Sequence, residues 1–301
     1  MLLLNPGPVT LTERVRNSLL QTDLCHRESE FFDLQEEART RLVDLYGLDA
    51  NEWQAVLMTG SGTAAVESMT AALVPQNGKL LVVENGVYGE RISQIATQYG
   101  IAHESLKHDW MQAPDLAKIA ERLDADKAFT HVAVIHHETT TGRLNDLQAL
   151  GALCRERGLR LLVDGVSSFG AEAIDFADTS LDAVAATANK CLHGVPGASF
   201  VLVRRAALAQ AASRTYYLDL GRLARLQDQR NTPFTPSVHA YYALVEALRE
   251  LDDEGGWKAR GFVIYAGQGG LSAELFRIST MGNIQPADVD RLLQGFTELM
   301  R

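Results

Sequence analysis

The sequence predicts an α/β fold in which a mostly parallel sheet is covered by helices on both faces. Two observations carry this expectation. Apolar runs rich in Val, Ile and Leu alternate with amphipathic helical stretches through most of the first 205 residues. The runs are also near-continuous, as strands buried on two faces must be. Strands are expected at Ala55–Thr59, Leu80–Glu84, His131–His136, Leu161–Asp164 and Phe200–Arg204, and helices at Thr63–Leu73, Tyr88–Tyr99, Pro114–Leu123 and Asp146–Arg157. Ahead of this core, Thr10 and Glu13 have capping-box spacing at the start of a short helix, and a second helix runs from Ser29 to Tyr46. Beyond Arg205 the pattern turns irregular. The stretch RNTPFTPSVHAYYALVEALREL then reads as a proline-bounded loop followed by a long helix, the bridge to a smaller domain. That domain offers strand-like runs at Phe262–Tyr265 and Leu275–Ser279 and a closing helix from Pro286. The expected division is an N-terminal extension over residues 1–20, a large α/β domain over 21–235, and the bridging helix with a small α+β domain over 236–301.

Composition narrows the function classes. Apolar residues at 46% and charged residues at 22% are ordinary for a soluble globular chain. With 28 Lys and Arg against 38 Asp and Glu, the net charge of −10 leaves no basic surplus for phosphate backbones, so nucleic acid is not an expected partner. The apolar start Met1–Leu4 is stopped by Asn-Pro-Gly-Pro, too soon for a signal-peptide core, and no run approaches the ~18 apolar residues of a membrane span. Cys25, Cys154 and Cys191 are odd in number and lack CxxC spacing, which points away from disulfides and zinc and toward a reducing cytoplasm.

Of the six lysines, five sit in polar surroundings, whereas Lys190 lies in DAVAATANKCLHGVPG, where an apolar approach runs into a lysine and then a Gly-Val-Pro-Gly turn. A lysine taken out of water there has a lowered pKa and becomes an amine nucleophile for Schiff-base chemistry. The same local sequence also suits a strand-end lysine with its ammonium in water. Asp164 closes the apolar run Leu161–Asp164, and ligands of open α/β sheets gather outside such strand ends. A carboxylate buried there needs donors or a cation, and a protonated pyridine nitrogen would serve; a helix-capping aspartate is the plainer reading. Thr59-Gly60-Ser61-Gly62-Thr63 joins a strand to a helix and forms a cup for one phosphate, without the Gly-Lys-Ser/Thr of a Walker loop. His136 and His137 are adjacent on a strand and point to opposite faces, which argues against a shared metal, while Thr139 and Thr141 share a face and suit a ligand oxygen. Together, a phosphate cup, a strand-end Asp and a desolvated Lys in that chain order fit a pyridoxal phosphate site.

The stretches LLLNPGPVTLTERV, CHRESEF, LMTGSGTAAVESM, VENGVYGERI, HHETTTGRLN, LLVDGVSSFGA, ATANKCLHGVPG, NTPFTPS and GFVIYAGQGGL…FRISTMGNI run nearly end to end. On them the chain resembles the class V, fold-type I pyridoxal phosphate aminotransferases, and among these the 2-aminoethylphosphonate–pyruvate transaminase family. The resemblance implies transamination of 2-aminoethylphosphonate with pyruvate. It implies that Lys190 carries the cofactor as a Schiff base, that Asp164 pairs with the pyridinium nitrogen, and that Gly62 and Thr63 hold the phosphate with Ser61 beside them. Tyr88 would stack on the ring, Val166 would pack on its other face, Thr139 would lie near the 3-hydroxyl, and Asn189 adjoins the lysine in the same site. Thr235 would reach the phosphate of a partner subunit, making a homodimer part of the site. Arg277 would bind the pyruvate carboxylate, and Arg27 would meet the phosphonate unless it pairs with Glu28 or Glu30. One departure stands out: in this family the helix ending in DDEGGW is followed by several dozen residues of the small domain, and here Gly256-Trp257 runs straight into Lys258-Ala259-Arg260-Gly261-Phe262. The small domain is therefore expected to be shortened. An alanine– or serine–glyoxylate aminotransferase, a cofactor-binding dimer with impaired turnover and a non-enzymatic scaffold are the competing readings.

Overall fold

The alternation of short apolar runs and amphipathic segments resolves into a sheet of seven strands in the computed structural model, which describes residues 3–256 and 282–299. In chain order the elements are α1 (Glu13–Asn17), α2 (Ser29–Asp44), β1 (Trp53–Gly60), α3 (Gly62–Leu73), β2 (Lys79–Glu84), α4 (Val87–Gln98), β3 (Ala102–Lys107), α5 (Leu116–Ala125) and β4 (Phe129–Ile135). A small hairpin of β5 (His137–Glu138) and β6 (Arg143–Leu144) follows, then α6 (Leu147–Glu156), β7 (Arg160–Asp164), β8 (Leu181–Thr187), β9 (Gly197–Arg204), α7 (Arg205–Leu208), α8 (Leu220–Asp228), α9 (Val238–Asp253) and α10 (Pro286–Leu299).

The sheet order is β1-β9-β8-β7-β4-β2-β3. Parallel pairing joins β8, β7, β4, β2 and β3, while β9 runs antiparallel to both β1 and β8. Six of the seven strands thus point the same way, and their C-terminal ends form one row. Strand side chains alternate between two cores. Leu57, Leu81, Val134 and Val163 face α2, α5, α6 and α9, whereas Val56, Val82, Ala133 and Leu162 face α3, α4 and α8. Both faces are covered, and this is why the strand runs are apolar without alternation.

All five expected strands are present, and two more complete the sheet. AHESLK forms β3 at the sheet edge, where one side is open to water and the run is polar; its Glu104 is paired with Arg122 and Lys79. LDAVAAT forms β8, every residue of it buried, although its alanines and Asp182 are poor strand signals. Asp182 is accommodated by the Arg160 guanidinium. The first helix is capped by Thr12 and not by Thr10: Thr12 Oγ1 accepts from Val15 N–H at 3.1 Å, while Thr10 Oγ1 accepts from Leu3 N–H at 2.8 Å and Thr10 itself forms a β-bridge with Gly282. The stretch after Arg205 contains the short helix α8, capped by Asp219, which accepts from Arg222 N–H. The strand-like runs Phe262–Tyr265 and Leu275–Ser279, together with Arg277 and the Trp257–Lys258 junction, lie outside the described residues.

The edge strand β1 leads directly into the Ser61–Thr63 turn, and α8 holds its exposed rim. Gln227 Nε2 donates to Leu57 O at 2.7 Å and Gln227 Oε1 accepts from Leu57 N–H at 3.0 Å, so one buried side chain satisfies both backbone groups that an edge would leave open. Gln227→Leu strands both groups and is expected to cost about 2 kcal/mol of unfolding free energy, read from urea denaturation; a change below about 0.5 kcal/mol contradicts this account of the edge.

Candidate active site

Five strand ends deliver the residues of the site, one turn each. Beyond β1, Ser61 takes an extended conformation and α3 begins at Gly62; Ser61 makes no side-chain capping hydrogen bond, and Ala64 N–H donates to Ser61 O at 2.9 Å. A Cβ on Gly62 would stand 2.7 Å from Val166 Cγ2, so only glycine lets the turn approach the residue that follows β7. Beyond β2, Asn85-Gly86 leads into α4, whose first turn carries Tyr88. Beyond β4, the hairpin turn carries Thr139, whose Oγ1 donates to Ser167 Oγ at 2.9 Å. Beyond β7 come Asp164 and Val166, and beyond β8 come Asn189 and Lys190.

Asp164 is buried, and its Oδ1 accepts from Val166 N–H at 2.9 Å. Among the described residues no cation lies within 4 Å of its carboxylate. Burial pushes its pKa up to about 7, and the nearby Glu138 adds to the rise. Lys190 is half-buried in a tight turn, with His193 N–H donating to Lys190 O at 2.9 Å and Gly194 N–H to Ala188 O at 2.8 Å. Its Nζ donates to Pro6 O, and its chain lies against Gly7, where a Cβ would meet Lys190 Cδ at 2.6 Å; Gly7 also has a φ of +105°. Asn189 Oδ1 accepts from Thr187 Oγ1 at 2.9 Å.

The remaining expectations fall in different places. Thr235 is exposed beside Phe234 and the C-terminal end of β1, where Ser237 N–H donates to Thr59 Oγ1. Arg27 is exposed; its Nε donates to His26 Nε2 at 3.4 Å, and it forms no ion pair with Glu28, Glu30 or any other described residue. Thr139 and Thr141 do not share a strand face, because residues 139–142 turn the hairpin. His136 and His137 have separate surroundings: His136 is buried on the α6 side, and His137 Nδ1 lies 3.3 Å from Ser167 O. A cavity of about 540 Å³ lined by His136, Asn145, Leu161, Ile174 and Asp178 opens on that α6 side and includes neither Lys190 nor Asp164.

Sequence reasoning misses two residues at the site. Glu138, inside HHETTTG, is a buried carboxylate that gathers the start of α4: Oε2 accepts from Gly89 N–H at 3.4 Å and Oε1 from Thr140 N–H at 3.0 Å. Burial raises its pKa. The adjacent histidines mask it, although an acid in an otherwise uncharged turn is the available signal. The other is Arg91, one helical turn after Tyr88, whose guanidinium lies 4.7 Å over the Tyr88 ring centroid and donates to Thr63 Oγ1 at 3.2 Å.

Residues 14–260 match the Aminotransferase class-V family. The chain belongs to that family. It is 42% identical over 268 residues to the 2-aminoethylphosphonate–pyruvate transaminase of Bacillus cytotoxicus, covering 86% of this chain and 72% of the relative. It is 33% identical over 359 aligned positions to the transaminase of the same name from Syntrophobacter fumaroxidans, covering 99% and 96%. The second alignment exceeds the 301 residues of this chain, so at least 58 of its positions have no counterpart here. Among solved structures the chain matches the subgroup IV aspartate aminotransferase of Thermus thermophilus with a TM-score of 0.86 at 25% identity, covering 99% of this chain and 98% of that one. The alanine–glyoxylate aminotransferase of Nostoc sp. matches in fold, with a TM-score of 0.89 at 24% identity and coverage of 100% and 95%.

A class-V aminotransferase works with pyridoxal phosphate, and the residues of this site fit that group. The buried Asp164 carboxyl lacks a cation that a protonated ring nitrogen would supply. The uncapped start of α3 offers N–H groups to a phosphate. Gly62 and Gly7 leave room where a Cβ would collide with Val166 and Lys190.

The raised pKa of Asp164 makes a prediction for the cofactor-free protein. The folded value of about 7 lies above the unfolded value near 4, so the folded state favours the protonated acid. The stability this contributes is full below about pH 4 and is lost as pH rises through about 7, with an upper bound of about 4 kcal/mol. Asp164→Asn is therefore expected to gain stability relative to the parent between pH 5 and 8, measured by urea denaturation of both cofactor-free proteins. A difference that stays flat over that range contradicts the desolvation argument.

Proposed function

We propose that this protein transfers the amino group of 2-aminoethylphosphonate to pyruvate, releasing phosphonoacetaldehyde and L-alanine. The observation that carries the reading is the meeting of Lys190, Asp164 and the Ser61–Thr63 turn at one row of strand ends, in a chain 33% identical to such a transaminase over 99% of its length. When bound, pyridoxal phosphate supplies an electron-accepting ring that stabilises negative charge on the carbon bearing the amine.

In this reading Lys190 is the covalent holder of the cofactor and, as an amine, the base that moves the proton off the amine-bearing carbon of the substrate. Asp164 faces the ring nitrogen and keeps it protonated by charge attraction in a dry setting. Tyr88 and Val166 flank the ring, Thr139 sits toward its hydroxyl, Asn189 lines the site beside the lysine, and Ser61, Gly62 and Thr63 take the phosphate. Arg277 binds the carboxylate of pyruvate and Arg27 the phosphonate dianion, and the exposure of Arg27 without an ion pair among the described residues supports its availability.

Thr235 of each subunit completes the phosphate site of the other in a homodimer. Support comes from its surroundings: Tyr216 and Tyr217, 74% and 45% exposed, gather around Phe234 beside it, an aromatic patch that a partner subunit would cover. The proposed division places the extension at 1–20, the cofactor domain at 21–235 and the bridging helix with a shortened small domain at 236–301. The proposed setting is the cytoplasm, on the ground of cysteine spacing.

Incubation with 2-aminoethylphosphonate and pyruvate is expected to form alanine and an aldehyde, and Lys190→Ala is expected to abolish both the visible absorbance of bound cofactor and turnover. Glycine formed from serine or alanine with glyoxylate, and no alanine formed from the phosphonate with pyruvate, defeats the substrate assignment. Cofactor absorbance that does not change on adding the phosphonate instead identifies a binding protein without turnover. Arg27→Ala should raise the KM for the phosphonate and Arg277→Ala that for pyruvate, each by about tenfold or more; an unchanged phosphonate KM removes Arg27 from the site.

A further inference from the structure

Arg91 stands beside the Ser61–Thr63 turn and forms no ion pair among the described residues. It is half-buried on α4 and reaches across to the first turn of α3, donating from Nη1 to Thr63 Oγ1 at 3.2 Å. Its guanidinium carbon lies 4.7 Å over the centroid of the Tyr88 ring, three residues earlier on the same helix face. Among the described residues no carboxylate comes within 4 Å of it. Arg39, Arg41, Arg122, Arg157 and Arg204 hold acids, and Arg143 and Arg214 give their donors to backbone carbonyls, whereas Arg91 turns toward the first turn of α3.

A planar cation beside an uncapped helix start makes a two-part anion receptor. The helix supplies backbone N–H groups and a partial positive charge, and the guanidinium supplies a full charge with several parallel donors. The aromatic ring beneath it restrains the guanidinium, which limits the entropy lost when an anion is gripped.

We infer that Arg91 is a phosphate-binding residue of the cofactor site, compensating the charge of the dianion that the Ser61–Thr63 turn receives. The inference rests on the pyridoxal phosphate reading above. It gives Arg91 two connected duties: it steadies Tyr88 by stacking, and it sets the preference for a phosphorylated pyridoxal over the bare one.

The test separates these duties by titrating cofactor-stripped protein with pyridoxal phosphate and with pyridoxal, following the absorbance of the bound group. Arg91→Gln and Arg91→Met, the second keeping an unbranched apolar stem against Tyr88, are expected to weaken pyridoxal phosphate by about tenfold to a hundredfold. Pyridoxal has no phosphate to lose, so its affinity is expected to stay within about twofold of the parent in Arg91→Met, which keeps its contact with Tyr88, and to fall further in Arg91→Gln by the share of the Tyr88 contact. Loss of both ligands by the same factor, or no loss of either, overturns the assignment; if Arg91→Gln does not fold, the same comparison is read from Arg91→Met. A parent protein that prefers pyridoxal phosphate while both variants keep that preference removes Arg91 alone. A parent that binds neither ligand removes the cofactor reading and this inference with it.

Discussion

Asp164 has its carboxyl group almost entirely out of water at the end of a central strand, with a second buried acid, Glu138, close enough to push its pKa further up. Taking a carboxylate into such a place costs several kcal/mol unless a charge or a set of donors answers it. Here one N–H, from Val166, answers directly, while Lys190 and Arg91 act from farther away. The arrangement of the surrounding turns follows from this demand. β7 has β4 on one side and β8 on the other, so the turns after those strands bring Thr139 and Lys190 to either flank of the acid, and α3 and α4 close the face above it. A cationic ring nitrogen among these turns would meet the acid where no described side chain does. The buried carboxyl without an ion pair is thus a cost to the cofactor-free protein that a cationic ligand atom would relieve.

The parts that were legible in the sequence are those where local chemistry and burial agree. Leu161–Asp164 is readable because a strongly apolar run marks a buried strand, and an acid closing it lands at the end of the sheet where ligands gather. Lys190 is readable because the apolar approach and the Gly-Val-Pro-Gly turn set it apart from five lysines in polar company. The edge strand β3 is hidden, since half its surface is wet and its residues pair as ions. The strand β8 is hidden by alanines whose burial comes from neighbours far away in the chain.

Site residues divide along the same line. Ser61, Gly62, Thr63 and Val166 sit in turns whose composition already suggests close approach, and the contact between Gly62 and Val166 gives that suggestion a distance. Arg91 carries no such local mark: in VYGERIS it reads as a solvent-side arginine of an amphipathic helix, and only the packing of α3 against α4 brings it to Thr63. Glu138 is similar, because its role depends on Tyr88 and Gly89 arriving from another strand end. Contacts between turns of different strands are tertiary facts, and periodicity does not encode them.

The return of the chain at Gly282 is stitched to the lysine turn. Gly282 N–H donates to His193 Nε2 at 2.9 Å, Asn283 N–H donates to Thr10 O at 2.8 Å, and a Cβ at Gly282 would meet the backbone of Thr10. The opening segment, whose Pro6 carbonyl holds the lysine amine, therefore also clamps the point where the C-terminal part re-enters. Departure at the end of α9 and re-entry at Gly282 are thus both fastened to the body that carries Lys190 and Asp164, and the register of the lysine with its acid is held from two ends of the chain.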